Sequence, residues 1–261
     1  MGNIDRNQIR KKGFKEGSIE EKIEKFCIEM ACSHTDGILE IYKRLQESRE
    51  GRYINSDLMK MTFPFYAKRN QNRKLYNMSI TNSAAVLTNE AYMRALQSKE
   101  VKRCIYITGP YGAGKSFFTQ ALFECDDKGL LDGSIVYEGS ITPPAFEQKI
   151  QCAIDQGVAP YIIALNPTLE LSIKNIKERA KKVGRDVEKQ EVLDKFGNFY
   201  SYMKRIIEKF DNIEYEIYNK ISNEPDGIKT SFNIDDLYHG TLQEIEEQYD
   251  KIIKELSQEP R

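Results

Sequence analysis

Between Gly109 and Ser116 the chain reads GPYGAGKS: a glycine, four residues, then glycine, lysine and a hydroxyl. Glycines at this spacing let successive backbone N–H groups converge on one point, and a helix opening at the lysine adds its partial positive charge. The guest such a cradle accepts is polyphosphate. Gly109, Pro110, Tyr111, Gly112, Ala113, Gly114, Lys115, Ser116 and Phe117 are therefore the expected nucleotide-binding residues. Lys115 would reach the β and γ phosphates. Ser116 would ligate Mg2+, which favours one or two protein oxygens beside phosphate and water. With no guanine-reading NKxD element in the chain, ATP is the expected nucleotide.

A phosphate loop serves kinases, switches and motors alike, so the groups that act on the nucleotide must lie elsewhere. Glu138 ends the apolar run Ile135-Val136-Tyr137, at the carboxyl edge of a strand, where ligands bind in open α/β sheets. It reads as a substrate contact, a Mg2+-side acid or a turn residue. Asp57 closes the stretch RYINSD in the equivalent edge position if that strand joins the same sheet, and otherwise reads as an N-cap or Asx-turn residue. Arg179 and Arg185 fall in and just after a helix. They could neutralise charge on a transferring phosphoryl group or be solvated helix-end charges. Phe63, Phe65, Tyr66 and Tyr76, interleaved with Lys68, Arg69, Arg73 and Lys74, either stack a base or pack beneath a loop.

These groups need a scaffold. Short strand-like runs at 51–57, 103–109, 134–139, 160–166 and 213–218 alternate with helical patterns, which predicts a mostly parallel five-stranded sheet wrapped by helices. Helices are expected at 18–32, 37–48, 82–99, 116–124, 146–157, 167–183, 188–210 and 241–256. Asn166 is a candidate cap for the helix that follows it, and Thr241 with Glu244 forms a capping-box pattern. Residues 1–17 read as a loose arm, and those between 225 and 241 as loop. The organisation expected is an arm and helical hairpin (1–50), a core (51–225) and a C-terminal loop and helix packed on it (226–261). The hairpin is either packing or a built-in cap.

Composition narrows the partners. Among 261 residues, 39 Lys and Arg nearly balance 40 Asp and Glu, so no overall field draws nucleic acid or an anionic membrane. No signal-peptide core and no run of apolar residues long enough to span a bilayer is present. Five scattered cysteines (Cys27, Cys32, Cys104, Cys125, Cys152) suit a reducing compartment, so a cytoplasmic location is expected. Cys27 and Cys32 lack metal-site spacing and read as packing residues.

Taken together, GPYGAGKS, YINSDLMKMTFPFY, YEGS and ERAKKVGR resemble the motifs of the zeta-toxin family of small-molecule kinases, over about residues 51–218. The family's IDxDxFKxxxP-like segment follows the phosphate loop, whereas here it precedes it, so the chain resembles a circularly permuted variant. The resemblance implies a P-loop kinase-like three-layer sandwich with an N-terminal helical extension. It also implies ATP- and Mg2+-dependent phosphorylation of a nucleotide sugar such as UDP-N-acetylglucosamine. On that reading Asp57 is the base, Glu138 contacts the acceptor hydroxyl, and Arg179 and Arg185 clamp the phosphoryl group. It leaves room for an antitoxin protein as a partner. The rival reading is an ATP-binding switch that phosphorylates no metabolite; an oligomeric AAA-type motor is a weaker third.

Overall fold

A computed structural model describes residues 4–126, 129–183, 187–211, 213–224 and 227–258. Its architecture is α/β. Six strands form one mostly parallel sheet, β1 (Tyr53–Asn55), β2 (Arg103–Thr108), β3 (Ser134–Glu138), β4 (Ala159–Pro167), β5 (Glu214–Lys220) and β6 (Ile228–Ser231), in the order β1-β3-β2-β4-β5-β6. Eleven helical segments accompany it among the described residues: α1 (Ile19–Ser33), α2 (Thr35–Arg44), α3 (Ser56–Met59), α4 (Pro64–Ala67), α5 (Asn70–Leu96), α6 (Lys115–Glu124), α7 (Ala145–Asp155), α8 (Leu169–Val183), α9 (Lys189–Gly197), α10 (Phe199–Lys209) and α11 (Leu242–Gln258). This arrangement is compatible with a three-layer sandwich. Among the described residues no helix is long and apolar enough to cross a membrane.

The expected sheet is present with one strand more than its sequence predicts. β6 pairs antiparallel with β5, Ile217 opposite Ser231 and Lys220 opposite Ile228. A four-residue edge strand with two exposed central residues carries almost no apolar alternation, which is why it reads as loop. Its signal is the preceding Pro-Asp-Gly, a turn sequence between two extended segments.

Two compact units divide the chain. The first comprises Met1–Cys104 with Gly133–Glu138, and the second Ile105–Asp132 with Gly139–Arg261. In the first, β1 and β3 run parallel with Tyr53 opposite Val136 and Asn55 opposite Glu138. The core gathers Cys27, Ile28 and Ala31 of α1, Ile38, Leu39 and Tyr42 of α2, and Ile80, Ala84 and Leu87 of α5, with Met59 and Phe63. The hairpin α1–α2 is thus integral to this core. Ile4 and Ile9 are buried in it as well, and the Lys12 amide donates to Glu24 Oε1 at 2.7 Å, so this part of the arm is packed rather than loose. Ser18 caps α1 by accepting from the Glu21 amide.

α5 begins at Asn70, twelve residues before the apolar periodicity does, and runs for 27 residues. Its first turns are polar and are held by hydrogen bonds: Asn72 Nδ2 donates to the Phe65 carbonyl at 2.7 Å, and an Arg73 guanidinium N–H to the Ala67 carbonyl at 3.1 Å. Phe63 and Tyr66 are buried and Phe65 meets Phe26, Phe63 and Tyr76 edge-on, which fits the packing reading of that aromatic group.

In the second unit, Ile105–Ile107 of β2 and Ile162–Leu165 of β4 are fully buried, as expected of strands covered on both faces. β4 and β5 pair in parallel from Tyr161 opposite Glu214 to Pro167 opposite Lys220. A satellite core joins Leu169, Ile173 and Ile176 of α8, Val192, Leu193 and Phe196 of α9, and Ile245 and Tyr249 of α11. The capping box of α11 forms: the Glu244 amide donates to Thr241 Oγ1, and the Thr241 amide to Glu244 Oε2. The cap of α8 is Thr168, whose Oγ1 accepts from the Leu171 amide, and not Asn166. Asn166 is still in β4, its amide donating to Asn219 Oδ1 and the Asp236 carbonyl, so cross-strand pairing outcompetes capping there. The helix expected over 188–210 divides at Asn198 into α9 and α10. Gly197 faces α11 so closely that a Cβ would lie 2.7 Å from Leu242 Cδ2.

Candidate functional site

The phosphate loop leaves β2 after Thr108 and enters α6 at Lys115, the strand–loop–helix context its motif requires. Gly114 stands before the helix with φ +77°, a left-handed conformation that a side chain would strain. Gly112 has φ +75°, and a Cβ there would lie 2.2 Å from the Ser172 carbonyl oxygen. The loop is therefore shaped by backbone, and a ten-residue helix opens directly from it. Such a cradle fits a polyphosphate. Lys115 Nζ donates to the Gly109 carbonyl at 2.9 Å and to the Pro110 carbonyl at 3.0 Å, so its ammonium lies across the start of the loop. Ser116 follows in the first turn of α6. Ala113 is buried, Tyr111 packs against the satellite core, and Phe117 is exposed on α6.

α8 supports the loop. Asn175 Nδ2 donates to the Gly112 carbonyl at 2.8 Å, one turn after the Ser172 backbone that crowds Gly112. Arg179, half-buried, continues this Ser172–Asn175 stripe at the next helical interval. The other expected arginine, Arg185, lies outside the described residues.

One loop-facing residue has no motif to announce it. Lys220, the last residue of β5, is 2% exposed and donates from Nζ to the Ala113 carbonyl at 3.3 Å. Burial pushes its ammonium below the usual lysine range. The only sequence signal is a lysine closing an otherwise strand-like run, a position that reads as its solvated end.

The two expected carboxylates belong to the first unit and leave adjacent parallel strands at the same edge. Glu138, the last residue of β3, is 7% exposed and accepts from the Tyr53 hydroxyl at 2.6 Å. Tyr42 in turn fixes β1: its hydroxyl donates to the Tyr53 carbonyl at 2.7 Å and accepts from the Asn55 amide at 3.0 Å. Asp57 is not the strand's last residue. The chain turns into α3 at Ser56, capped by Asn55 Oδ1 accepting from the Leu58 amide, so the capping role expected as an alternative for Asp57 falls to Asn55. The Asp57 carboxylate is 50% exposed and pairs at 3.1 Å with Lys60, whose side chain is 3% exposed. Lys60 also donates to Asn77 Oδ1 at 2.9 Å, which accepts from the Tyr66 hydroxyl at 3.2 Å. Tyr53, Lys60 and Asn77 are thus the positioning groups that sequence reasoning missed. Lys60 stands three residues after Asp57, the interval at which helical side chains meet.

Cys27 is a core residue, fully buried, its thiol pushed up to about 12 by desolvation. Among the described residues no three His, Cys, Asp or Glu side chains gather as a metal cluster.

The chain is thus an α/β protein with a phosphate-loop motif in its structural context. No protein-family model matches it, and no curated protein matches it.

Proposed function

We propose that this chain is an ATP-dependent phosphotransferase, a permuted relative of the zeta-toxin kinases, that moves the γ phosphoryl group of ATP to a hydroxyl of a nucleotide sugar. The observation that carries the reading is the Gly109–Ser116 loop, closing β2 and opening α6 with its glycines in conformations that side chains would obstruct. The strand order supports it. β2 lies mid-sheet, flanked by β3, which ends in Glu138, and β4, and β1 follows β3 although it comes first in sequence. A sheet indifferent to chain order is what a permuted P-loop kinase fold needs.

When bound, the nucleotide would supply the phosphoryl group to be transferred, and its phosphates together with water would share Mg2+ with the protein. The residues of the chain supply the rest. Backbone amides of the loop and Lys115 hold the phosphates, and Ser116 offers a hydroxyl to the metal. Arg179, with Arg185, offsets charge on the group in transit. Asp57 takes the proton from the acceptor hydroxyl, and Glu138 orients that hydroxyl. UDP-N-acetylglucosamine is the acceptor to try first, and an antitoxin the protein partner to seek.

The test is incubation of purified protein with γ-labelled ATP, Mg2+ and a panel of nucleotide sugars. Label on a sugar supports the transferase. Label found only as free phosphate supports the nucleotide switch instead. Lys115→Ala should abolish turnover in either case, a loss on the order of 10³-fold.

A further inference from the structure

Lys220 is a buried cation without a counter-charge among the described residues. The only hydrogen-bond partner of its ammonium among the described residues is the neutral Ala113 carbonyl, at a long 3.3 Å, although an ammonium carries three donors. No carboxylate pairs with it among those residues. Desolvating an ammonium costs far more than one neutral hydrogen bond returns, so a lysine held this way needs a reason. Its surroundings supply one. Nζ stands 3.0 Å from where a Cβ of Gly114 would be, so the ammonium is packed against the backbone of the residue that precedes Lys115. The side chain also borders a cavity of about 550 Å3 with Asn166, Thr168, Asn219 and Tyr238. β5 has thus delivered a positive charge to the carbonyl side of a loop whose amides are expected to face the phosphates.

We infer that Lys220 is a positioning residue for polyphosphate: its ammonium braces the Gly112–Gly114 backbone through the Ala113 carbonyl and lends the loop a second positive charge, which bound phosphate neutralises. The inference rests on the nucleotide-binding reading above. It goes beyond the motif, which assigns the loop a single lysine. A charge in a low-dielectric setting acts strongly across one peptide unit, so its effect grows with the negative charge of the ligand. In the empty protein the same charge is a liability, because removing a buried ion while keeping its volume is neutral or stabilising.

The experiment measures ATP, ADP and AMP affinities and ligand-free melting temperature for wild type, Lys115→Ala and Lys220→Met, a variant that keeps the length of the stem. Lys220→Met should weaken ATP by about ten-fold or more, ADP less and AMP least, with the ligand-free protein melting no lower than wild type. Unchanged ATP affinity in a wild-type-like fold would overturn the inference. So would an equal loss for all three nucleotides together with a lower melting temperature, the mark of a packing role. Should Lys220→Met prove insoluble, Lys220→Gln is read in the same way, and failure of both to fold also counts against it. Failure of wild type to bind any of the three nucleotides would sink the nucleotide reading itself. Wild-type binding that depends on Lys115 and ignores Lys220 would sink only this one.

Discussion

The carboxylates of the first unit and the phosphate loop of the second are held by different means. Asp57 and Glu138 depend on other side chains: Lys60 and Asn77 for the first, Tyr53 for the second, with Tyr42 clamping the strand beneath. The loop depends on backbone. Its shape follows from glycine conformations and from the approach of the Ser172 and Asn175 segment of α8. A site made of side chains can be tuned one group at a time, and its losses should be graded. One made of main chain tolerates little, because a single added methyl group meets another peptide unit.

That contrast can be broken experimentally. The largest effect is expected for Asp57→Asn, which should reduce phosphoryl transfer by about 10²- to 10⁴-fold. ATP affinity should stay near wild type in a direct binding assay, since the variant keeps the side-chain shape. Near-normal transfer would remove Asp57 from the mechanism. Gly112→Ala comes next. It combines a strained φ with a clash against the Ser172 carbonyl, so stability should fall by about 1–3 kcal/mol from strain alone. ATP binding should be lost with it, both visible by thermal melting with and without nucleotide. If the alanine variant binds ATP normally, the claim that main chain sets the site is wrong.

Tyr53→Phe tests the side-chain half more gently. It removes the hydroxyl that donates to Glu138 and leaves the ring, which should cost about 1.5–3 kcal/mol at most, as expected for a hydrogen bond to a charged group. Transfer rate, rather than ATP affinity, should carry the loss. The smallest effect concerns Glu147 of α7. Its nearly buried carboxylate accepts from Lys209 at 2.5 Å and pairs with Arg205 at 2.6 Å. The Lys209 hydrogen bond, followed by that to Arg205, holds its pKa below the ordinary carboxylate value of 4.5. A depressed folded pKa means stability present above the unfolded value and lost as the pH falls through the folded one. Melting temperature should therefore drop more steeply below pH 4.5 in wild type than in Glu147→Gln. Parallel curves would show that the partners, both half-exposed, are screened by solvent.

How far the sequence could be read follows the same division. The loop was legible because backbone chemistry restricts residue types: only glycine suits φ +75° against a neighbouring carbonyl, so the constraint is written into the letters. β2 and β4 were legible because burial on both faces demands unbroken apolar runs, as in Cys104–Ile107. The start of α5 was not, since its first turns are held by Asn72 and Arg73 reaching back to the segment before, with little apolar stripe. Lys60, Asn77 and Tyr53 escaped notice for a related reason. Their importance lies in which partner the fold delivers, and a Tyr in a strand or a Lys in a helix has many other uses. Lys220 is the extreme case, because a strand-ending lysine ordinarily reaches water.

The first unit is not a continuous piece of chain. It takes Gly133–Glu138 back from a stretch of sequence that has already contributed the loop and α6 to the second unit. During synthesis β1 therefore waits, its hydrogen-bonding edge unsatisfied, until about eighty further residues have left the ribosome and β3 arrives to close it. A fragment ending at residue 104 keeps most of the apolar core of α1, α2 and α5 but offers β1 to any passing strand. Such a fragment is a poor choice for expression.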